Sequence, residues 1–316
     1  MEIYRTSDGK VTKYVHDDGS ETSIKHAVAE DCGGKYGAVK NKFNVFISSS
    51  VGCPIGCKFC YLTVKKFPYS NLSRDEIVNN VYDAIIDQVN TFPELKEKYV
   101  KLSWMGMGDP CIDFAKTIDA TDCIIRRLME EKVCVGVDGI DIGTTMPDRA
   151  KSGIILNHLD LFMAFMMDFP RNPLRTAKSP FRIFYSLHGT ETVRNDLIPA
   201  KMMGIADVFQ LFHTIPEDRA KIIIHHMLLD GINDSDYDIK ELIKLMKYIN
   251  RTHHHQLRIL RYNSCTNSPF VESSNFRTLI KQIHNKIPDV KVQASPGSEV
   301  EASCGMFLLG DSIGEK

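Results

Sequence analysis

Three closely spaced cysteines have the spacing that a cubane iron–sulfur cluster needs. Cys53, Cys57 and Cys60 form the pattern CxxxCxxC directly after a strand-like run, and the aromatic Phe59 precedes the last cysteine. Three thiolates bind three irons of a [4Fe–4S] cluster, which leaves the fourth iron open to another ligand. A zinc site normally needs four protein ligands, or three with a water, so the spacing favours the cluster over zinc.

An open iron of this kind is where the radical S-adenosylmethionine (SAM) enzymes bind their cosubstrate. SAM chelates the iron through its amino and carboxylate groups, and one electron from the cluster breaks the sulfonium bond to give a 5′-deoxyadenosyl radical. The protein holds cluster and SAM together and keeps water and stray hydrogen donors away. The cysteine pattern therefore predicts a radical SAM enzyme with a [4Fe–4S] cluster and SAM as its cofactors.

Strand and helix patterns alternate along the rest of the chain. A capping box at Ser73 and Glu76 starts the clearest helix, which has an apolar stripe from Ile77 to Val89. The other predicted strands are Phe43–Ser48, Tyr99–Met105, Gly139–Thr145, Phe181–Leu187, Lys221–Leu228, Gln256–Leu260 and Val290–Gln293, and the other predicted helices are Ala115–Glu130, Asn157–Met167, Lys201–Phe209, Asp236–Asn250 and Ser274–Lys286. Repeated βα units predict a parallel sheet with helices outside it.

The predicted fold class is therefore α/β, a partial (βα)6 radical SAM barrel. Its chemistry would lie on the loops at the carboxyl ends of the strands. Strand-like runs around an Asp-Asp-Gly turn predict a small N-terminal β extension over residues 1–42. The barrel is predicted over residues 43–295, and a C-terminal segment over residues 296–316 is predicted to lie over the barrel mouth.

The composition is that of a folded protein with a hydrophobic core. Of the 316 residues, 43% are apolar and 25% are charged, and no apolar stretch is long enough to span a bilayer. The first residues lack the apolar segment of a signal peptide, and the nine cysteines are not spaced as a disulfide scaffold. We therefore expect a cytoplasmic protein with no membrane partner. The net charge of −1 gives no support to a nucleic-acid partner but leaves room for a local basic face.

Beyond the cysteines, several segments resemble those of the RlmN/Cfr adenosine methyltransferases, the class A methyltransferase branch of the radical SAM superfamily, in the same order. They are residues 18–22 (DGSET), 104–110 (WMGMGDP), 185–188 (YSLH), 195–199 (NDLIP), 227–235 (MLLDGINDS), 261–263 (RYN) and 301–305 (EASCG). The resemblance extends from about residue 11 to residue 310.

The resembling segments supply the candidate SAM contacts. The predicted cofactor-binding set follows four of the barrel strands and comprises Gly106, Gly108, Asp109, Thr145, Ser186, Leu187, His188 and Asn263. The glycine-rich turn would let the backbone approach the amino group of SAM, and Asp109 would accept its N–H bonds. The polar tips of Ser186, His188 and Asn263 would bind the ribose and carboxylate of SAM.

The resemblance also implies a covalent mechanism through Cys304. In this family the cysteine of the C-terminal CG segment receives a methyl group from one SAM, and the radical made from a second SAM removes a hydrogen atom from that group. The carbon radical adds to an sp² carbon of adenine, a base removes a ring proton, and a second cysteine releases the product. The match assigns Cys304 as the methyl carrier and Glu21 as the general base.

The chain departs from the family pattern in three places. The resolving cysteine of the family lies seven residues before the first cluster cysteine, where this chain has Phe46, and a phenyl ring cannot attack a thioether. Cys111, Cys265 or Cys32 would have to serve instead, or the adduct is resolved differently, or the product differs. We expect no counterpart of the family's helical N-terminal domain before the β extension. The sequence ASPG at residues 294–297 stands where relatives have basic residues, so both features weaken an rRNA interpretation.

Three functional hypotheses follow from these residues. The first is a methyltransferase that uses S-methyl-Cys304 to methylate an sp² carbon of an adenine-like ring, in RNA or in a smaller nucleoside-like or heterocyclic molecule. The second is a radical SAM enzyme that modifies a small molecule or peptide by hydrogen abstraction, with Cys304 in another role. The third is a non-catalytic iron–sulfur or RNA-binding protein, and the intact cysteine triad argues against it. The first two need a reductant such as flavodoxin or ferredoxin.

Overall fold

The structure, a computed structural model, describes residues 1–26, 42–148, 181–218, 220–251, 254–265, 267–293, 300–302 and 306–307. In chain order its strands are β1 (Glu2–Arg5), β2 (Val11–Val15), β3 (Glu21–Lys25), β4 (Lys42–Phe46), β5 (Ser50–Val51), β6 (Ser70–Asn71), β7 (Tyr99–Trp104), β8 (Gly136–Thr144), β9 (Phe181–Ser186), β10 (Ala220–Met227), β11 (Gln256–Leu260) and β12 (Lys291–Gln293). Its α-helices are α1 (Tyr61–Val64), α2 (Arg74–Thr91), α3 (Phe114–Glu130), α4 (Glu191–Leu197), α5 (Ile205–His213), α6 (Asp236–Ile249) and α7 (Phe276–His284). Short 3₁₀ helices occupy Pro93–Glu97 and Pro110–Asp113.

One ten-stranded sheet forms the frame of the described residues. Its strand order is β1-β2-β3-β4-β7-β8-β9-β10-β11-β12, and β5 and β6 form a separate small ribbon. Neighbouring strands from β4 to β12 are parallel, whereas β1 to β4 pair antiparallel. The order is linear, with β1 and β12 at its two edges, so the barrel is partial and the predicted α/β class is confirmed.

The N-terminal β extension continues this sheet. Within its antiparallel hairpin, Lys13 on β2 pairs with Ser23 on β3, and Ser23 in turn pairs with Phe46 on β4. The first strands of the chain therefore lie directly beside the first strand of the barrel. The domain boundaries at residues 42/43 and 295/296 stay predictions.

Side chains alternate along the parallel strands, so the two faces of the sheet have different surroundings. Phe43, Leu102 and Ile224 belong to the apolar core that the helices cover, and each is fully buried. The opposite face carries charge: Asp141 on β8 accepts hydrogen bonds from Arg182 at 2.6 and 2.8 Å and lies 3.1 Å from Lys101. Buried charges are tolerated when they are paired in this way.

The predicted start of helix α2 is confirmed in detail. The Ser73 hydroxyl accepts a hydrogen bond from the Glu76 amide at 3.2 Å, and the Glu76 carboxylate accepts from the Ser73 amide at 2.7 Å. This reciprocal pair satisfies two N–H groups that the first turn of a helix leaves open. A second capping box, formed by Ser235 and Asp238, starts α6.

Two helix predictions differ from the structure. The helix predicted at Lys201–Phe209 was wrong at its start, because α5 begins at Ile205 after the extended Gly204. Helix α4, which is only seven residues long, was not predicted. Pro199 lies between these helices and cannot continue α4. The helix predicted at Asn157–Met167 lies outside the described residues.

No helix in the described part of the chain combines the length and the apolar character that a membrane span requires.

Candidate functional site

A cavity of about 210 Å³ opens at the carboxyl ends of the parallel strands. Residues that lie far apart in the sequence meet in its wall, as expected for loops that follow parallel strands. The sequence-predicted residues that line it are Cys53, Cys57, Cys60, Gly106, Gly108, Asp109, Thr145, Ser186, His188 and Asn263. The structure thus brings the candidate cluster ligands and most of the candidate SAM contacts together, while their binding roles stay predictions.

Among the described residues, two of the predicted site residues do not line this cavity. Leu187 is fully buried in the main core, and its amide donates to the His225 carbonyl at 3.0 Å. Glu21 is 3% exposed and forms a 2.6 Å ion pair with Lys13. Cys304 lies outside the described residues, although Phe307, which is close to it in the chain, forms part of the cavity wall.

The three cysteines lie on one loop between β5 and α1. The Cys60 amide donates to the Cys57 carbonyl at 2.9 Å, and the Lys58 amide donates to the Leu197 carbonyl at 2.9 Å, which fastens the loop to α4. Burial raises the pKa of Cys53 to about 12 and raises the pKa of Cys57 well above that of an ordinary thiol. Thiolates in such a place need a cationic partner, so the donor set fits an iron centre.

The spacing of these side chains also bears on the kind of metal centre. Among the described residues, no three Cys, His, Asp or Glu side chains converge closely enough to hold a single metal ion. The three thiolates of a cubane bind three different irons and are therefore set further apart than ligands of one ion. The three cysteines match in number the three irons that the protein must ligate in such a cluster.

Asp109 braces the loop after β7 against the end of β8. Its carboxylate accepts hydrogen bonds from the Cys111 amide at 3.0 Å, the Thr145 amide and hydroxyl at 2.7 Å each, and the Thr144 hydroxyl at 2.9 Å. Burial raises the pKa of Asp109, and these hydrogen bonds oppose the rise because they favour the carboxylate. Several of its acceptor sites are thus occupied by the protein itself.

The glycines of the same loop are required by close contact with the chain that leads into the cysteine loop. A Cβ on Gly106 would lie 2.6 Å from the Ser48 hydroxyl and 2.7 Å from the Ser48 amide. Gly108 has a φ of +87°, and a Cβ there would collide with the hydroxyls of Ser49 and Ser50. Because both contacts lie within the protein, these glycines hold the β7 loop against the cysteine loop.

His188 carries two signs of a ligand-binding residue. Its backbone has a φ of +56°, which is unusual for a residue with a side chain, and its buried Nδ1 has no hydrogen-bond partner among the described residues. Its ring packs edge-on against Phe59, with centroids 5.1 Å apart. Burial lowers the pKa of His188 well below its ordinary value, and His226 and His225 lower it further, so the ring is neutral at pH 7.

Asn233 holds the ends of β9 and β10 together beneath His188. Its amide nitrogen donates to the carbonyls of His188 and Met227 at 2.7 and 2.8 Å, and its amide oxygen accepts from the Leu229 N–H at 2.7 Å. Asn233 is fully buried. Residues 229–235 (LDGINDS) therefore support the wall of the cavity.

Arg194 holds the loop that follows β8, whose Thr145 lines the cavity. Its guanidinium is fully buried and donates to the Thr145 carbonyl at 2.8 Å and the Met203 carbonyl at 3.0 Å. It thereby joins α4 to the loop that follows β8.

Sequence reasoning missed a group of cavity residues that lie on the inner face of the strands. They include Met105, Gly143, Phe184, His225 and Met227. The signal that would have found them is the two-residue period: His225 pairs in register with Ser186, and Phe184 lies two residues before Ser186. His225 is the most informative, because its buried Nε2 has no partner among the described residues and burial lowers its pKa to about 3.

The candidate second thiols differ in their surroundings. Cys111 packs against the main hydrophobic core and is absent from the cavity wall, and burial raises its pKa. Cys265 packs beside the cavity against a small apolar cluster that comprises Tyr61, Leu62, Met107 and Phe307. Cys53 and Cys60, the candidate iron–sulfur ligands, pack against the same apolar residues. Cys32 lies outside the described residues.

Comparison with known proteins gives a consistent set of relatives. The chain is 28% identical over 276 residues to the dual-specificity RNA methyltransferase RlmN of Wolinella succinogenes, covering 84% of this chain and 67% of the relative. It is 26% identical over 320 residues to the dual-specificity RNA methyltransferase RlmN of Campylobacter fetus, covering 96% of this chain and 77% of the relative. No family model matches the chain.

A solved structure with the same fold is that of a radical SAM methyltransferase from Sphaerobacter thermophilus. The two superpose with a TM-score of 0.68 over 97% of this chain and 80% of the other, at 20% sequence identity. At that identity the similarity establishes the fold, a partial barrel with the cavity at the carboxyl ends of its strands.

Proposed function

This chain is an RlmN/Cfr-like member of the radical SAM superfamily, and on that premise we propose that it methylates an sp² carbon of an adenine-like ring through a methyl group carried on Cys304. The observation that carries the proposal is the common cavity of the cysteine triad and the candidate SAM contacts. Phe307, three residues after Cys304, lies in the wall of the same cavity.

Cys53, Cys57 and Cys60 would hold a [4Fe–4S] cluster, and the bound cluster would supply the electron that cleaves SAM reductively. Phe59 lines the cavity beside these cysteines and presents an apolar ring to it. A flavodoxin or ferredoxin would reduce the cluster, and the cytoplasm is the compartment in which the thiols stay reduced.

The neutral imidazole of His188 would bind SAM through its unpaired Nδ1, and the nearby Ser186 and Asn263 would orient the ribose and carboxylate. Because His188 is uncharged, it can either donate or accept a hydrogen bond according to its tautomer. His225 lies beside Ser186 in register and offers a second unpaired ring nitrogen to the same cavity. Asn233 positions His188 through its backbone carbonyl, and Asp109 holds the loop after β7 against Thr144 and Thr145.

Among the described cysteines, Cys265 is the thiol best placed to release a product from Cys304. It packs beside Phe307, whereas Cys111 faces the main core. Glu21, assigned as the base, is held by Lys13 at 2.6 Å. Proton acceptance by Glu21 would neutralise its carboxylate and leave the buried Lys13 ammonium without its anionic partner.

RNA is the proposed substrate class, since the relatives are named as RNA methyltransferases. An exposed groove on the outer surface offers a place for phosphates. It is lined by Lys240, Lys244, Lys247, Arg251 and Lys286 together with Tyr248, which is 64% exposed. Basic side chains beside an exposed aromatic ring are typical of nucleic-acid contacts.

One observation favours a different radical reaction on the same scaffold. Phe46 replaces the thiol that the family uses to resolve its protein–substrate adduct. An enzyme that abstracts hydrogen from a small molecule or peptide needs no such thiol, and Cys304 would then have another role.

Mass spectrometry separates the two reactions. Protein expressed with cluster and SAM supply should carry one added methyl group on Cys304, and the Cys304→Ala variant should carry none. Incubation with SAM, dithionite and RNA should then yield methylated adenosine. Release of 5′-deoxyadenosine with an unmethylated Cys304 would reject the methyltransferase proposal and support the hydrogen-abstraction alternative.

A further inference from the structure

Two lysines of the N-terminal hairpin bind backbone carbonyls of the C-terminal segment. Lys13 on β2 donates from Nζ to the Glu301 carbonyl at 2.6 Å and to the Met306 carbonyl at 3.3 Å. Lys25 on β3 donates from Nζ to the Ala302 carbonyl at 2.7 Å. The contacts join residues that are 277 to 293 positions apart in the sequence.

All three N–H bonds of the Lys13 ammonium are used in this arrangement. The third acceptor is the Glu21 carboxylate at 2.6 Å, and the side chains of Lys13 and Glu21 are 1% and 3% exposed. A neutral amine would have only two N–H groups for three acceptors, so the geometry requires a charged lysine. A buried ammonium with all its donors satisfied fixes its partners firmly, because each released bond would leave a charge poorly solvated.

Lys25 is supported by an aromatic ring. Its Nζ lies 4.8 Å from the centroid of the Phe46 ring, within the range of a cation–π contact. Phe46 lies on β4, and it is the residue that replaces the resolving cysteine of the related family. In this chain the position therefore supports a lysine that binds the C-terminal segment.

Apolar contacts hold the same segment on both sides. Val300 and Ala302 pack on Val11 of the hairpin. Phe307 packs beside the cluster ligands and lies with its ring centroid 5.5 Å from the Lys13 ammonium. The described stretch 300–302 is thus fastened to the hairpin, and Phe307 is fastened in the wall of the cysteine cavity.

We propose that Lys13 and Lys25 are positioning residues that form a carbonyl clamp, which fixes residues 300–302 and 306–307 beside the cavity. Phe46 is the platform for the Lys25 arm of this clamp. The catalytic consequence rests on the proposed function: Cys304 lies between the two fastened stretches, so the clamp would set its reach toward the cavity.

Hydrogen–deuterium exchange of the full-length, cluster-loaded protein tests the clamp directly. Lys25→Met should raise amide exchange in a peptide spanning residues 300–307 by about tenfold, because a hydrogen bond from a charged donor is removed. Lys25→Arg should restore most of the protection, and Phe46→Leu should give an intermediate increase. The matched control is Lys10→Met, on the same hairpin, whose side chain is 59% exposed.

Unchanged exchange in residues 300–307 of Lys25→Met, at a level equal to that of Lys10→Met, would overturn the clamp.

Lys13→Met would strand Glu21 in the interior, so the double change Lys13→Met with Glu21→Gln tests the other arm and is expected to loosen the same peptide. The iron content and the thermal midpoint of Lys25→Met should match those of the wild type. A match would show that the variant loosens residues 300–307 without a general loss of stability. The exchange experiment does not depend on turnover. If exchange confirms the clamp but Cys304 carries no methyl group, only the proposed function is rejected.

Discussion

Asp109 lies where a SAM-binding carboxylate was predicted, yet it binds four donors of its own protein. The residue type and position were readable from the GMGDP turn, but the partners Thr144 and Thr145 follow a different strand. His188 shows the opposite case, because its unpaired Nδ1 leaves it able to bind a ligand. For these two residues, the presence or absence of a hydrogen-bond partner within the protein distinguishes a structural role from a ligand-binding role.

His226 provides a test of burial through pH. Both of its ring nitrogens lack a partner among the described residues, and burial lowers its pKa to about 4. The unfolded chain takes up this proton below about pH 6.5, whereas the folded chain does so only near pH 4, so stability is present above pH 6.5 and is lost as the pH falls. This group should remove about 2 kcal/mol of stability between pH 7 and pH 5.

The measurement is the thermal midpoint of wild type and His226→Phe at pH 7 and pH 5. The variant should lose less stability on acidification than the wild type does. The exposed His284 offers the control, since His284→Asn should keep the wild-type pH dependence. Identical acid sensitivity in wild type and His226→Phe would contradict the expectation.

Elements with strong local signals were predictable, and elements that depend on long-range contacts were not. Helix α2 was predictable because its capping box and apolar stripe are local in sequence. Helix α5 began later than expected, because the apolar residues near Met202 and Met203 pack on the barrel without being helical. The two-residue period could have identified His225, but no local pattern could have linked Lys13 or Lys25 to the far end of the chain.

Asn233 is the clearest support between elements, and its removal should be costly. Asn233→Ala leaves the Leu229 N–H and the carbonyls of His188 and Met227 without their partner. We expect a loss of about 2–3 kcal/mol in the free energy of unfolding, because buried polar groups are stranded. SAM affinity should fall as well, because His188 is no longer held.

Urea unfolding and equilibrium SAM binding measure these two effects. Asn275→Ala is the matched control, since the Asn275 side chain makes no capping hydrogen bond at the start of α7 and is exposed. Wild-type stability together with wild-type SAM affinity in Asn233→Ala would show that the cavity wall does not depend on this amide.

For the whole molecule, charge is distributed unevenly around a near-neutral total. The chain has a net charge of −1, yet five basic side chains and one acidic side chain line the groove beside Tyr248. The bulk charge gave no support to an RNA partner, whereas the folded surface concentrates positive charge on one face. A local field of this kind attracts phosphates even when the total charge is near zero.

Charge reversal in this groove should weaken RNA binding. Replacing Lys244 and Lys247 with Glu should lower the affinity for single-stranded RNA and reduce the slope of log K against log salt by about 0.7 for each phosphate that the protein no longer neutralises. Fluorescence anisotropy over a salt series measures both quantities. The control is the same reversal at Lys96 and Lys132, which lie outside the groove. Equal decreases in affinity in both proteins would mean that only the total charge matters.

The carbonyl clamp also has a consequence for the order in which the chain acquires its native contacts. Lys13 and Lys25 leave the ribosome well before their acceptors at Glu301, Ala302 and Met306, which follow 277 or more residues later. Non-local contacts of this length form late, because the intervening chain must be synthesised and closed first. In a nascent chain the Phe307 side of the cavity is therefore completed after the cysteine loop.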